Sequence, residues 1–182
     1  ESERVTSILG EIAVLYRTNR QAGELIVALR GRRLPYRIRG GADLLARREV
    51  QDLIAYLRLA HNPEDEAALA RIVNVPPRRL GRLAEALRAQ PCPTSQLVDR
   101  ARRVGPAVTE GAVALVDIVR ELHDQGTYQS PAKLLDLVLD RTGYRTWVTS
   151  KSGDTADLRW LSDLRRLAER SEGLLGDWLA EL

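Results

Sequence analysis

The chain has 182 residues, of which 44% are hydrophobic and 29% charged, and its formal net charge is +3. This length suffices for one good-sized core or two small ones, and no apolar run approaches the roughly 18 residues that span a bilayer. The first residues do not have the pattern expected of a signal peptide. The single cysteine, Cys92, excludes an intrachain disulfide framework and a cysteine-cluster zinc site, and it suits a cytoplasmic protein.

Positive charge is concentrated in the first part of the chain. Residues 1–103 contain 19 Lys and Arg against 12 Asp and Glu, a net +7, whereas residues 104–182 contain 9 against 13, a net −4. Eight arginines and two acids lie between Arg71 and Arg103. A polyanionic partner would suit this segment, and so would a solvated basic face. Charge alone leaves both interpretations open.

The first elements predict a β-α-β segment. Residues 12–16, IAVLY, form a short apolar run typical of a buried strand. Thr18 or Asn19 can cap a helix that Gly31 ends, and PYRIR, residues 35–39, alternates like a second strand. This order is typical of a parallel sheet, which needs both faces covered, and the chain offers no further strands. We therefore expect a piece of a domain whose remainder lies outside this chain, with its apolar residues packed on the helical body, on another copy, or poorly ordered.

Everything after Arg47 is predicted to be helical, in about eight helices, so the fold class is mainly α. Apolar residues recur at helical spacing, and prolines or glycines separate the segments. Trp160 and Trp178 are expected to be half-buried. The segments are residues 48–62, 63–75, 80–90, 95–104, 105–126 and 130–143, followed by a long and a short helix within residues 153–182.

The connection IVNVPPRRLG, residues 72–81, joins two of these helices in an unusual way. Pro76 and Pro77 end the first helix, because neither has a backbone N–H and each restrains its predecessor. The next helix must begin near Gly81, with unpaired backbone amides beside three arginines, and a helix N-terminus binds phosphate well. The arginines are Arg78, Arg79 and Arg82. We interpret the connection as a phosphate clamp that would position a duplex without reading its sequence; a tight helix connection with solvated arginines is the alternative.

Three segments together resemble a known family. IAVLYRTNRQ, LPYRIRGG and RREVQDLIAYLRLAHNPEDEAALARIVNVPPRRLG follow one another in the order and spacing of the UvrD/PcrA/Rep family of superfamily 1 DNA helicases. The resemblance is specific over residues 11–81 and continues to the end as a helical pattern. It implies that residues 1–43 are the edge of the second RecA-like motor domain, 2A, and that residues 44–182 are the helical insertion 2B.

The resemblance also implies which residues bind DNA. The YRTN portion would border the single-stranded DNA track, and the family's N-x-P-x-R-G-I-G turn, which grips duplex DNA through backbone amides, falls on the IVNVPPRRLG connection. The expected DNA-binding residues, with Arg82 added from its position beside the helix start, are Tyr16, Arg17, Thr18, Asn19, Asn74, Arg78, Arg79, Leu80, Gly81 and Arg82.

One position departs from the family pattern, because Arg79 stands where the motif has its first glycine. If this position requires a positive φ, a non-glycine residue costs on the order of 1 kcal/mol. A side chain would also obstruct a close approach of the backbone to phosphate. Arg79 could compensate by reaching the phosphate itself.

No G-x-x-x-x-G-K-[ST] phosphate loop occurs in the sequence, so this chain should not hydrolyse ATP. We expect no catalytic residue, no metal site and no cofactor in it. The resemblance implies a parent enzyme that uses ATP and Mg²⁺ to unwind DNA in the 3′–5′ direction during repair or replication. Its partners would be a junction of single-stranded and duplex DNA, the remaining motor domains and accessory repair proteins, in the bacterial cytosol and away from membranes.

Two other functions were considered. A helical protein-interaction module with little DNA affinity would fit the departure at Arg79 and the net −4 of residues 104–182. A helix-turn-helix transcription regulator fits poorly, because the helix after PPRR offers mostly Leu, Ala and Arg rather than base-reading amides. Carboxylates one helical turn apart, such as Asp136 and Asp140 or Asp117 and Glu121, are interpreted as solvated faces rather than metal ligands.

Overall fold

The computed structural model describes residues 12–17, 19–36, 44–152, 158–171 and 173–182, and these form a mainly α-helical fold. Ten α-helices lie in this described part, together with one 3-10 turn, Leu44–Ala46. In chain order, α1 to α10 are Asn19–Gly31, Arg48–His61, Glu66–Ile72, Gly81–Ala89, Thr94–Arg102, Pro106–Gly126, Pro131–Thr142, Tyr144–Ser152, Arg159–Glu169 and Leu175–Glu181.

The α2 helix is the centre of the core. Its buried residues occupy nearly every position from Val50 to Ala60, so it is apolar almost all round and packs on several helices. It contacts α3, α6, α7 and α10. The 21-residue α6 crosses this core and packs on α5, α2 and α7. The turn between α3 and α4 rests on α2 and α6.

Local sequence signals explain where several helices begin and end. The side chain of Asp65 accepts a hydrogen bond from the Ala68 amide and caps α3. Pro106 and Pro131 occupy first helical positions, where a missing N–H costs nothing. Gly143 ends α7 with a φ of +64°, in the left-handed region that glycine tolerates.

The predicted strands are not present in the described residues. Residues 12–16 and 34–36 carry no strand, and residues 37–39 lie outside the described part of the chain. A strand requires a neighbour that receives its backbone hydrogen bonds, and no strand is assigned among the described residues. Ile12, Val14 and Leu15 instead have 60%, 55% and 96% of their surface exposed.

Two other expectations need correction. Trp160 and Trp178 are buried rather than half-buried, with 4% and 2% of their surface exposed. The α8 helix was not predicted, because its sequence YRTWVTSKS has a weak apolar period. Its first residue, Tyr144, is nonetheless fully buried and reaches across to α2.

A buried carboxylate links three helices. Asp52 on α2 accepts hydrogen bonds from Arg71 Nε at 2.8 Å and from the Tyr144 hydroxyl at 3.1 Å. Burial raises the pKa of Asp52, and the attraction of Arg71 opposes this shift only in part, since that guanidinium is 38% exposed and screened by water. Burial likewise raises the pKa of Tyr144, and the neighbouring carboxylate reinforces that shift, so its hydroxyl stays protonated and donates.

The raised pKa of Asp52 predicts how stability changes with pH. Between the unfolded and the folded pKa, the folded chain binds more protons at this site, so its contribution to the free energy of unfolding falls as pH rises. Asparagine cannot titrate. The stability of the wild type relative to Asp52→Asn should therefore decrease from pH 4 toward neutrality, as measured by urea unfolding.

Asp124→Asn, an exposed position on α6, is the control for losing a surface carboxylate. If the wild type instead became more stable relative to Asp52→Asn as pH rises, the attraction of Arg71 would have a larger effect on the pKa of Asp52 than burial has.

Candidate nucleic-acid interface

The turn between α3 and α4 is organised around one side-chain amide. Asn74 Oδ1 accepts hydrogen bonds from the backbone amides of Arg78 and Leu80, at 2.9 and 3.0 Å. Pro76 and Pro77 lie inside this turn and have no backbone N–H to donate. The turn is therefore held at its end by the Asn74 side chain, which accepts from the two amides that follow the prolines. The Val75–Pro76 peptide bond is cis. The turn is thus closed by its own residues.

Arg78 points into the protein rather than toward solvent. Its Nη2 donates to the Tyr56 hydroxyl at 2.6 Å, and its Nη1 donates to the Pro76 carbonyl at 3.1 Å. The guanidinium carbon also lies 5.7 Å from the centre of the Tyr56 ring, within cation–π range. Arg78 is among the expected DNA-binding residues, and in the structure two of its five N–H donors bond to the turn and to α2.

Tyr56 completes this anchor from the core side. Its hydroxyl donates to the Val75 carbonyl at 2.6 Å, and none of its surface is exposed. Burial raises the pKa of Tyr56 to about 12, so the hydroxyl remains neutral and able to donate. Tyr56 is not among the residues predicted from the sequence, where its only signal is a polar-tipped aromatic residue in a helix with many apolar residues.

Close packing on α6 fixes the other side of the turn. Leu80 is fully buried, and a Cβ added at Gly111 would lie 2.8 Å from the Arg78 carbonyl oxygen and 3.1 Å from the Leu80 side chain. Only glycine permits this approach. Leu80 was among the expected DNA-binding residues, but its side chain lies in the core and its amide donates to Asn74. The contribution of Leu80 to DNA binding stays a prediction.

Three of the expected residues remain exposed at the rim of the turn: Arg79, Gly81 and Arg82. Gly81 begins α4, and no side chain caps this helix. The first amides of α4 therefore have no side-chain acceptor and carry a partial positive charge, and Arg79 and Arg82, which are next to them in the chain, are exposed. We refer to Arg79, Gly81 and Arg82 as the basic rim.

Arg79 adopts the backbone conformation that glycine favours, with a φ of +63°. Replacing Arg79 by glycine should raise the free energy of unfolding by about 1 kcal/mol, because the left-handed region is costly for a residue with a Cβ. For a chain of this size, that corresponds to a rise of roughly 2–4 °C in melting temperature. Thermal unfolding followed by circular dichroism measures this shift.

Arg82→Gly is the matched control, since Arg82 lies inside α4, where glycine weakens the helix. It should lower the melting temperature. A decrease for Arg79→Gly as well would show that Arg79 carries no relievable backbone strain.

The other expected DNA-binding residues belong to a different part of the fold. Tyr16 is half-buried and Arg17 is exposed, and the Arg17 amide donates to Gln21 Oε1 at 3.1 Å. Thr18 lies outside the described residues, and Asn19 begins α1. The α1 helix packs on α9 and α10, whereas the turn rests on α2 and α6. The described contacts do not bring the two groups together.

A groove of about 480 Å³ opens beside the basic rim, between α4 and α5. Its lining combines apolar side chains with amide, carboxylate and guanidinium groups. Arg100 at its edge donates to the carbonyls of Gln90 and Pro91, which ties α5 to the end of α4. The groove is lined by Leu83, Ala86, Gln90, Gln96, Asp99, Arg100, Arg103 and Val104.

Within the described residues, no group of three or more His, Cys, Asp or Glu side chains could hold a metal ion. Two of the carboxylates considered earlier bind arginines of neighbouring helices: Asp136 accepts from Arg165, and Glu121 from Arg141. Cys92 is buried. No described helix has the length and hydropathy needed to cross a bilayer.

Comparison with known proteins shows the family of the chain. A family model described as the UvrD-like helicase C-terminal domain matches residues 3–98. The ATP-dependent DNA helicase PcrA of Bacillus subtilis is 31% identical over 179 residues, which cover 90% of this chain and 24% of PcrA. The ATP-dependent DNA helicase UvrD1 of Mycobacterium tuberculosis is 33% identical over 166 residues, which cover 86% of this chain and 21% of UvrD1.

The ATP-dependent DNA helicase Rep of Escherichia coli is 41% identical over 92 residues, which cover 44% of this chain and 14% of Rep. The chain therefore spans about a quarter or less of the length of these relatives.

Proposed function

The chain belongs to the family of UvrD-like helicase C-terminal domains, and on that basis we propose that it grips duplex DNA within an ATP-dependent 3′–5′ DNA helicase. Residues 44–182 correspond in this proposal to the helical insertion 2B. Residues 1–43 correspond to the edge of the RecA-like motor domain 2A. The exposure of Ile12, Val14 and Leu15 supports this division, since the remaining motor domains would cover them.

The observation that carries the proposal is the basic rim. It combines a helix N-terminus without a side-chain cap and two exposed guanidinium groups on a turn that Asn74 and Tyr56 hold in place. Amides and arginines presented together bind phosphate oxygens through charge-assisted hydrogen bonds. Arg79 contacts the phosphate with its side chain, whereas a glycine at this position would let the backbone approach the phosphate closely.

Contacts of this kind position a duplex without reading its bases. The rest of the proposal concerns the parent enzyme: Tyr16, Arg17, Thr18 and Asn19 would border the single strand at a junction with the duplex. ATP and Mg²⁺ would be held outside this chain. The insertion would regulate unwinding during repair or replication in the cytoplasm, and accessory repair proteins would bind to it.

The experiment that tests this proposal is fluorescence-anisotropy titration of a labelled duplex with a single-stranded tail. A labelled single strand of the same length is the control ligand. At low salt we expect the tailed duplex to bind more tightly than the single strand. Its affinity should fall steeply as ionic strength rises and should not depend on the DNA sequence. A folded chain that binds neither ligand at low salt would refute the proposal.

A second candidate function is a helical protein-interaction module with little DNA affinity, and the groove between α4 and α5 favours it. The groove is lined by apolar side chains and by two arginines, Arg100 and Arg103, and this combination would suit an acidic peptide with an apolar anchor. If the duplex does not bind, titration with such a peptide, with Arg103→Glu as the control variant, tests this alternative. Loss of peptide binding in that variant would support it.

A further inference from the structure

We propose that Tyr56 and Arg78 are positioning residues, which hold the basic rim in its binding orientation and make no contact with DNA phosphate themselves. This inference rests on the proposed function and divides its arginines into two roles. Arg79 and Arg82 contact the ligand, whereas Arg78, although it carries the same charge, acts through the turn.

The hydrogen bonds of Arg78 carry the first step. Both of its terminal nitrogens are used, one on the Tyr56 hydroxyl at 2.6 Å and one on the Pro76 carbonyl at 3.1 Å. The guanidinium plane is also held near the face of the Tyr56 ring. Turning the guanidinium outward toward a phosphate would break these contacts, which hold the turn from within.

Tyr56 carries the second step, because it links the turn to the core. Its hydroxyl accepts from Arg78 and donates to the Val75 carbonyl, so it bonds the turn on both sides of Pro76. It is completely buried on α2, the helix with the most extensive contacts. Any displacement of the turn relative to α2 would break both bonds at once.

Asp52 extends this anchor along α2. It lies four residues before Tyr56 and therefore on the same face of the helix. Asp52 binds Arg71 at the end of α3, and Tyr56 binds the turn that follows. The polar groups of one helix face thus hold the last turn of α3 and the whole connection to α4. The orientation of the basic rim is therefore set by the bonds between the turn and α2.

Salt dependence separates a positioning residue from a phosphate contact. Each arginine that neutralises a phosphate contributes about 0.9 to the slope of log affinity against log salt concentration. A positioning residue changes affinity at every salt concentration and leaves the slope unchanged. A merely structural role would lower thermal stability without lowering the affinity of the folded protein.

The test is duplex titration by fluorescence anisotropy at several salt concentrations for the wild type, Tyr56→Phe, Arg78→Lys and Arg82→Ala. Tyr56→Phe keeps the buried ring and removes one hydroxyl. Arg78→Lys keeps the charge but cannot make both hydrogen bonds and the ring contact. Circular dichroism confirms that each variant is folded at the titration temperature.

We expect Arg78→Lys to lower affinity about fivefold, the effect of one lost hydrogen bond, and Tyr56→Phe, which loses two, to lower it at least as much, each with an unchanged slope. Arg82→Ala should reduce the slope by about 0.9. Wild-type affinity in Arg78→Lys would show that only the charge of Arg78 matters and would overturn the inference, as would unchanged binding by Tyr56→Phe. A wild type that binds no duplex would refute the proposed function, and this inference with it.

Discussion

Replacing both Arg79 and Arg82 by glutamate should lower the affinity for duplex DNA on the order of 100-fold. Each arginine of the basic rim would lose a charge-assisted hydrogen bond to phosphate, and two such bonds account for a loss of this size. Both side chains are exposed and neither takes part in the anchor of the turn. Glutamate at position 79 keeps a Cβ at the positive φ, so folding stability should change little. Anisotropy titration at low salt measures the effect.

The control is Arg120→Glu combined with Arg145→Glu, which changes the net charge equally at exposed positions on α6 and α8. This pair should weaken binding far less, because long-range attraction is screened beyond about 10 Å at moderate salt. Equal losses for both pairs would mean that the overall charge binds DNA and that the basic rim has no special role.

Replacing Asn74 by alanine should abolish duplex binding and lower the free energy of unfolding by about 2 kcal/mol. One side-chain oxygen accepts from two backbone amides of the turn, and each partly buried amide left without an acceptor costs about 1 kcal/mol or more. Without these two hydrogen bonds the turn would no longer be held in its present conformation. The basic rim would then lose its orientation. Urea unfolding measures the first effect and anisotropy the second.

Asn74→Asp distinguishes the two effects. A carboxylate oxygen can accept from the same two amides, so stability should stay close to that of the wild type. The added negative charge beside the phosphate site should still weaken DNA binding. Wild-type affinity in Asn74→Asp would place the phosphate elsewhere, and wild-type stability in Asn74→Ala would show that the two hydrogen bonds contribute nothing.

Arg79→Gly would show whether strain and binding are linked at this position. The variant relieves the cost of a positive φ and should be more stable, while it removes a guanidinium from the basic rim. Higher stability with weaker binding would be typical of a residue kept for function at the expense of the fold.

Sequence patterns predicted most of the helices because their signals are local. Caps, prolines and apolar spacing determine where a helix begins, and the boundaries of α2, α6 and α7 follow them closely. The α8 helix escaped prediction because its apolar period is weak, and the partner of its buried residue Tyr144 is Asp52, which is distant in the sequence. The strand expected at residues 12–16 needs neighbours that local sequence cannot supply.

The candidate site was predicted in part for the same reason. The prolines and the helix start are local signals, and the structure has a turn at these prolines with Arg79 and Arg82 exposed. The contacts of Arg78 and Leu80 within the protein could not be predicted, because the direction of a side chain depends on what packs beneath it. Tyr56 and Gly111, from helices distant in sequence, turn Arg78 inward and bury Leu80.

The central claim is that the basic rim binds duplex phosphates, and the salt dependence of binding tests it most directly. The measurement compares duplex affinity from low to moderate salt for the wild type and for Arg79→Ala combined with Arg82→Ala. The account predicts a slope smaller by about 1.8 in the double variant, since each lost phosphate contact removes about 0.9. Identical slopes, in two proteins that are both folded, would contradict it.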